Sequence, residues 1–207
     1  MKLSNKLPFQ IFPGIFNSID LYTKDVIHSF FDMNGKFPIW LEELGEIVNY
    51  QKPPHYSKFN ILDEENNILL TGTPDAIFQK KDGSYLIADY KTAKYTETQD
   101  ALLPIYEVQL NGYAVIGNKR GLNPVTDLAL IYFEPVTQHE AACDSTNCSD
   151  NGFLMHFHAY IKKVELNPTK ITKLLSATRE LFDLEGPPNG REGCNDCGLL
   201  DRMLGLL

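Results

Sequence analysis

Two apolar strand segments, joined by an Asp-Gly turn and each broken by a carboxylate, constrain this chain more than any other feature. Leu69-Leu70 lead into Gly72-Thr73-Pro74-Asp75, and Ala76-Ile77-Phe78 follow. Lys80-Lys81-Asp82-Gly83 carries the strongest short-range hairpin signal. A strand then runs from Ser84 to Lys91, with apolar Leu86-Ile87-Ala88 directly before Asp89-Tyr90-Lys91. Burying a charge is costly unless something compensates it. Carboxylates set into apolar strands therefore need a purpose, and the apolar context argues against a hairpin of solvated surface charges.

Residues two apart on a strand share a face. Asp89 and Lys91 therefore point one way and Tyr90 the other, and Asp75 on the neighbouring strand is within reach of Asp89. Two adjacent carboxylates repel unless a cation lies between them. A hard divalent ion such as Mg²⁺ meets that need with oxygen ligands, and the Tyr90 backbone carbonyl is a third candidate donor. Such an ion activates a water and steadies charge on a phosphate. Lys91 is placed to orient the water or to touch the phosphate.

Around this hairpin the pattern predicts a mixed α/β core in the order α-α-β-β-β-α-β-β-α. Ile19, Tyr22, Val26 and Phe30 recur at helical spacing within a helix over 17–34. A second helix is expected over 39–48 and strands over 58–62 and 68–79. A helix follows over 104–118, then a buried strand over 127–133. Residues 135–151 read as a polar loop. An alternating strand covers 153–164, and Asn167-Pro168 opens a helix to about residue 184.

The 207 residues fit one domain, 1–207, with a cysteine-containing tail over about 186–207. No apolar run is long enough to span a membrane, and Met1 to Pro8 lack a secretory signal core, so a cytoplasmic protein is expected. A net charge of −8 argues against a protein that coats nucleic acid generally, because such proteins usually show a basic surface. The same charge is compatible with a carboxylate-centred site beside a local basic groove, or with a protein partner that helps recruit DNA.

Taken in order, Gly72-Thr-Pro-Asp75-Ala, Asp89-Tyr-Lys91-Thr92 and Gln109-Leu-Asn-Gly-Tyr113 resemble the PD-(D/E)XK nuclease superfamily. The resemblance is closest to the RecB-like branch, which includes the CRISPR adaptation nucleases. It implies a restriction-endonuclease-like fold, a mixed central sheet flanked by helices, and DNA cleavage that depends on Mg²⁺ or Mn²⁺. By motif, Asp75 and Asp89 would be metal ligands, Lys91 the catalytic lysine, and Gln109 and Tyr113 the branch's Q-x-x-x-Y pair. Four residues apart, Gln109 and Tyr113 stack on one helix face. The branch also places a histidine on an early helix in a G-x-x-x-H motif. That motif is not intact here, which leaves His28, or the acidic Glu42, Glu43 and Glu46, as candidates for the role.

Cys143 and Cys148 fall in the polar loop, and Cys194 and Cys197 form a C-x-x-C in the tail. Two pairs allow a tetrathiolate Zn²⁺ site or an Fe–S site, with His156 and His158 as further donors, and equally allow four free thiols. The leading expectation is a metal-dependent DNA nuclease of exonuclease type, in repair, recombination or defence. Lys80, Lys81, Lys94, Lys119 and Arg120 are candidate phosphate contacts. The alternative is a catalytically weak or inactive subunit of the same fold that binds DNA or protein.

Overall fold

The computed structural model describes residues 14–96, 102–186, 188–190 and 192–205, and the segment read for a signal, 1–8, lies outside them. Five strands make the central sheet: β1 (Ile47–Gln51), β4 (Ala76–Lys80), β5 (Tyr85–Lys91), β6 (Val125–Pro135) and β9 (Phe157–Val164), in the order β1-β4-β5-β6-β9. Only β5 and β6 run parallel. A parallel pair needs a long crossover, which helix α2 (Leu103–Lys119) supplies. Two small hairpins stand apart, β2 (Asn60–Asp63) with β3 (Ile68–Thr71) and β7 (Cys148–Ser149) with β8 (Gly152–Phe153).

Both faces of the sheet are covered. Ile77, Ile87, Leu128 and Leu130 pack beneath α2 with its Leu110, Ala114 and Ile116. Their strand neighbours Phe78, Leu86, Ala129 and Ile131 point the other way, to Ile27 of α1 (Gly14–Asn34) and to Leu41 and Leu44. This is why residues 86–90 of β5 are all buried, with Asp89 the one charged residue among them, and do not alternate. Helix α4 (Pro168–Phe182) lies against α2. Its Arg179 donates to the carbonyls of Asn66 and Asn67 in the β2–β3 turn.

The mixed α/β architecture expected from the sequence is present, and four local expectations are corrected. The helix expected over 39–48 is a short 3₁₀ turn (Ile39–Leu44) that ends at Gly45, with φ 93°, and the chain continues as β1. A left-handed glycine breaks the helical path there, and Ile47 and Val48 suit a strand. The strand expected over 68–79 is two strands, because Gly72-Thr-Pro lifts the chain from one sheet to another and Pro74 has no N–H for a ladder. The alternation over 153–164 spans β8 and β9 with an irregular link between them, and the polar loop contains α3 (His139–Cys143). The C-x-x-C tail folds as α5 (Asn195–Leu204), which no sequence signal had indicated.

One buried side chain ties the helices together. Asn111 is fully enclosed. Its Nδ2 donates to the carbonyls of Glu107 (2.9 Å) and Glu165 (3.0 Å), and its Oδ1 accepts from the Asn167 N–H at 2.6 Å. It thereby fixes the start of α4 to the middle of α2. Asn111→Leu keeps the branched shape, adds bulk and strands the Glu165 carbonyl and the Asn167 N–H. Chemical denaturation should show a loss of about 2–4 kcal/mol.

Candidate active site

The β4–β5 hairpin builds the site. Its register pairs Ala76 with Ala88, and one step further brings Asp75 opposite Asp89. Asp75 stands just before β4, where the chain rejoins the main sheet, and its Oδ2 accepts the Tyr90 N–H at 2.8 Å. Asp89 is 3% exposed. Its Oδ1 accepts from Gln109 Nε2 at 3.1 Å, while its buried Oδ2 meets the Lys91 ammonium and has no other partner among the described residues. Lys91 also lies over the Tyr106 ring of α2, 4.1 Å from its centre. The three residues expected to converge do converge.

Helix α2 delivers the other pair. Gln109 Nε2 also donates to the Tyr113 hydroxyl at 2.8 Å, and that hydroxyl takes a further hydrogen bond from the Thr73 backbone. Tyr113 is pressed against Gly72 so closely that a Cβ there would lie 2.3 Å from Tyr113 Cε1. The glycine of the Gly72-Thr-Pro-Asp75 segment is therefore needed for room. Burial holds the Tyr113 hydroxyl above its ordinary pKa, and it stays protonated at neutral pH.

Burial also raises the Asp89 carboxyl to about 6, and the neighbouring Asp75 adds to the rise, while Lys91 opposes it. Two acidic groups that crowd one another, one of them with a buried oxygen otherwise unsatisfied, suit a hard cation with oxygen preference. The donor set fits Mg²⁺ or Mn²⁺ in kind. Among the described residues, no group of three or more His, Cys, Asp or Glu side chains is arranged to hold a metal, so protein carboxylates would supply part of the shell only.

The early helix contributes a residue that sequence reasoning missed. Lys24 Nζ contacts Asp75 Oδ1 at 2.7 Å and Asp20 Oδ2 at 2.8 Å. Burial alone would lower this ammonium's pKa, but the hydrogen bonds to Asp20 and Asp75 outweigh it and the net shift is upward. The available signal was the i,i+4 Asp–Lys pair on an apolar helix. His28, one turn later, stacks on Tyr50 with ring centres 4.1 Å apart, and burial lowers its pKa. Stacking fixes the plane of its ring against β1. Glu46 pairs with Lys81 beside the hairpin turn, at the opposite end of β4 from Asp75, so it is remote.

Several other expected residues lie elsewhere. Lys80 is held by Asp127 at 2.7 Å, and Arg120 Nε donates to the Asn60 carbonyl at 2.6 Å. Lys119 ends α2, about 15 Å along the helix from Gln109. Lys94 is exposed just beyond Lys91, the last residue of β5. The four cysteines do not assemble. Cys143 lies beside His139 in α3, Cys148 is in β7, and Cys194 and Cys197 flank the start of α5. His156 bonds to Asn147 Oδ1 at 3.0 Å, and His158 lies in β9 near Tyr160.

The raised Asp89 carboxyl makes stability depend on pH. Its folded-state affinity for a proton exceeds the unfolded one, so its contribution is complete below about pH 4 and is lost as pH rises through about 6. In chelator, Asp89→Asn should gain on the wild type across that window by up to about 3 kcal/mol, read by denaturation at pH 4.5 and pH 8. Gly72→Ala should displace the Tyr113 ring and with it Gln109. If the chain cleaves DNA, the rate should fall roughly tenfold or more while the far-ultraviolet spectrum is unchanged.

A family model described as the PD-(D/E)XK nuclease superfamily matches residues 25–202. No curated protein matches the sequence. Among solved structures, the crystal structure of SSO0001 is similar at 13% identity with a TM-score of 0.40, over 84% of this chain and 63% of that one. The present chain thus spans less than two thirds of that protein's length. With the match covering most of the sequence and the fold a five-stranded mixed sheet between helices, the chain belongs to the PD-(D/E)XK nuclease superfamily.

Proposed function

We propose that this protein is a metal-dependent deoxyribonuclease that hydrolyses phosphodiester bonds, of exonuclease type, serving DNA repair, recombination or defence. One observation carries the reading: Asp75, Asp89 and Lys91 meet at one end of the β4–β5 hairpin. Asp75 and Asp89 would hold Mg²⁺ or Mn²⁺. The Tyr90 carbonyl is the third candidate, since the N–H and C=O of one strand residue face the same neighbour and this N–H already points to Asp75. When bound, the ion would lower the pKa of a water and offset charge that builds on the phosphate.

The chain's own residues have distinct tasks in this reading. Lys91 brings an ammonium to the edge of the carboxylate pair, where it can touch a phosphate oxygen or orient the attacking water. The Tyr106 ring beneath it limits where that ammonium can go. Gln109 fixes the direction of the Asp89 carboxylate, and Tyr113 fixes Gln109. Lys94, exposed just beyond Lys91, is the best-placed of the expected cations to meet the DNA backbone. The net charge of −8 supports short-lived DNA binding by the isolated chain or assistance from a protein partner. No helix among the described residues is long and apolar enough to cross a membrane.

The test is cleavage of linear and circular DNA, single- and double-stranded, with Mg²⁺ or Mn²⁺. The expected result is degradation of linear DNA with circular DNA spared, abolished by chelator. Asp89→Ala and Lys91→Ala should each lower the rate by roughly a hundredfold or more. Intact DNA under both ions would refute the proposal. Cutting of circular DNA would refute only its exonuclease part.

A further inference from the structure

We infer that Lys24 is a built-in counter-ion for the carboxylate pair, neutralising Asp75 when no divalent ion is bound and passing to Asp20 when one binds. This rests on the metal-dependent reading above and adds to it a residue that sets the ion's affinity.

Each carboxylate of the hairpin pair already has an ammonium beside it, and Lys24 shares itself between Asp75 and Asp20. Asp89 faces Lys91, and Asp75 faces Lys24. A dication drawn to the Asp75 and Asp89 oxygens is repelled by the ammonium already on each, so its binding favours withdrawal of one of the two. The surroundings decide which. Lys91 is boxed between the Asp89 carboxylate and the Tyr106 ring. Lys24 already bonds a second carboxylate, Asp20, one turn earlier on its own helix at 2.8 Å. That partner does not belong to the hairpin and stays available whatever Asp75 binds.

Asp75 is itself held in place. Its Oδ2 is anchored by the Tyr90 N–H, so Oδ1, the oxygen that Lys24 occupies, is the one an incoming cation would have to share or take. Exchange therefore requires only that a long, flexible lysine side chain give up one of its two carboxylates. The carboxylate framework does not move. Asp20 then tunes the exchange: by giving the lysine somewhere to go, it lowers the cost of letting the ion in. By linkage, whatever strengthens the Lys24–Asp75 contact weakens the ion by the same factor.

The experiment measures Mn²⁺ binding to the full chain from the electron paramagnetic resonance signal of the free ion, with no DNA present. Lys24→Met should bind Mn²⁺ roughly tenfold more tightly than the wild type, and Asp20→Asn several-fold more weakly. In chelator Lys24→Met should also melt at a lower temperature, with the loss recovered at saturating Mn²⁺. A merely structural lysine would shift the melting temperature and leave the affinity unchanged. If Lys24→Met does not fold in chelator, Lys24→Gln and Asp20→Asn decide the matter. Mn²⁺ binding by the wild type with equal or weaker binding in the Lys24 variants overturns this inference alone, as does an unchanged Asp20→Asn. No Mn²⁺ binding by the wild type, with no change in Asp75→Asn or Asp89→Asn, overturns the metal reading and this inference with it.

Discussion

The placement of the Asp89 carboxylate inside the protein is the constraint on which the site depends. An ionised group with 3% exposure has lost its water and must be held by its neighbours. Each neighbour comes from a different part of the fold: Lys91 from the same strand, Gln109 from the crossover helix, Asp75 from the strand start beside it. The crossover between two parallel strands places α2 over that end of β5, so the topology itself brings Gln109 to the carboxylate. Burial also makes the group acid-weakened and repelled by Asp75, which is the condition a hard cation relieves.

Much of this was legible in the amino-acid sequence because it is local. The Asp-Gly turn set the hairpin, the period of two put Asp89 and Lys91 on one face, and the four-residue step aligned Gln109 with Tyr113. The family resemblance placed the same residues in order. What remained hidden depends on distant contacts. Lys24 is an unremarkable helix cation until the fold sets it beside Asp75, fifty-one positions away. Ile47 and Val48 follow a helix-like pattern, and only the left-handed Gly45 and the free edge of β4 make them a strand. His28 suits a ligand by residue type, and its stacking on Tyr50 of β1 is a contact that only the fold shows. The cysteines invited a shared metal site by number, yet Cys194 and Cys197 stay together at α5 and, among the described residues, no third ligand joins them.

The basic residues show the same division. Lys80, Lys81 and Arg120 looked available to phosphate by composition alone. The fold assigns Lys80 and Lys81 to acidic partners at the turn end of the hairpin, and Arg120 to the backbone of β2. Lys24 and Lys91 are the cations that the described residues show in contact with the two carboxylates.

Asn111 has a wider consequence. It projects from the side of α2 opposite Gln109 and Tyr113 and grips the segment that leads into α4. A rotation of α2 that loosened Gln109 from Asp89 would have to pull this amide from its sockets at Glu165 and Asn167. The aim of the polar pair is thus guaranteed by a fastening on the far side of the same cylinder, and the loop before α4, though it touches no reacting group, serves as the keel of the site.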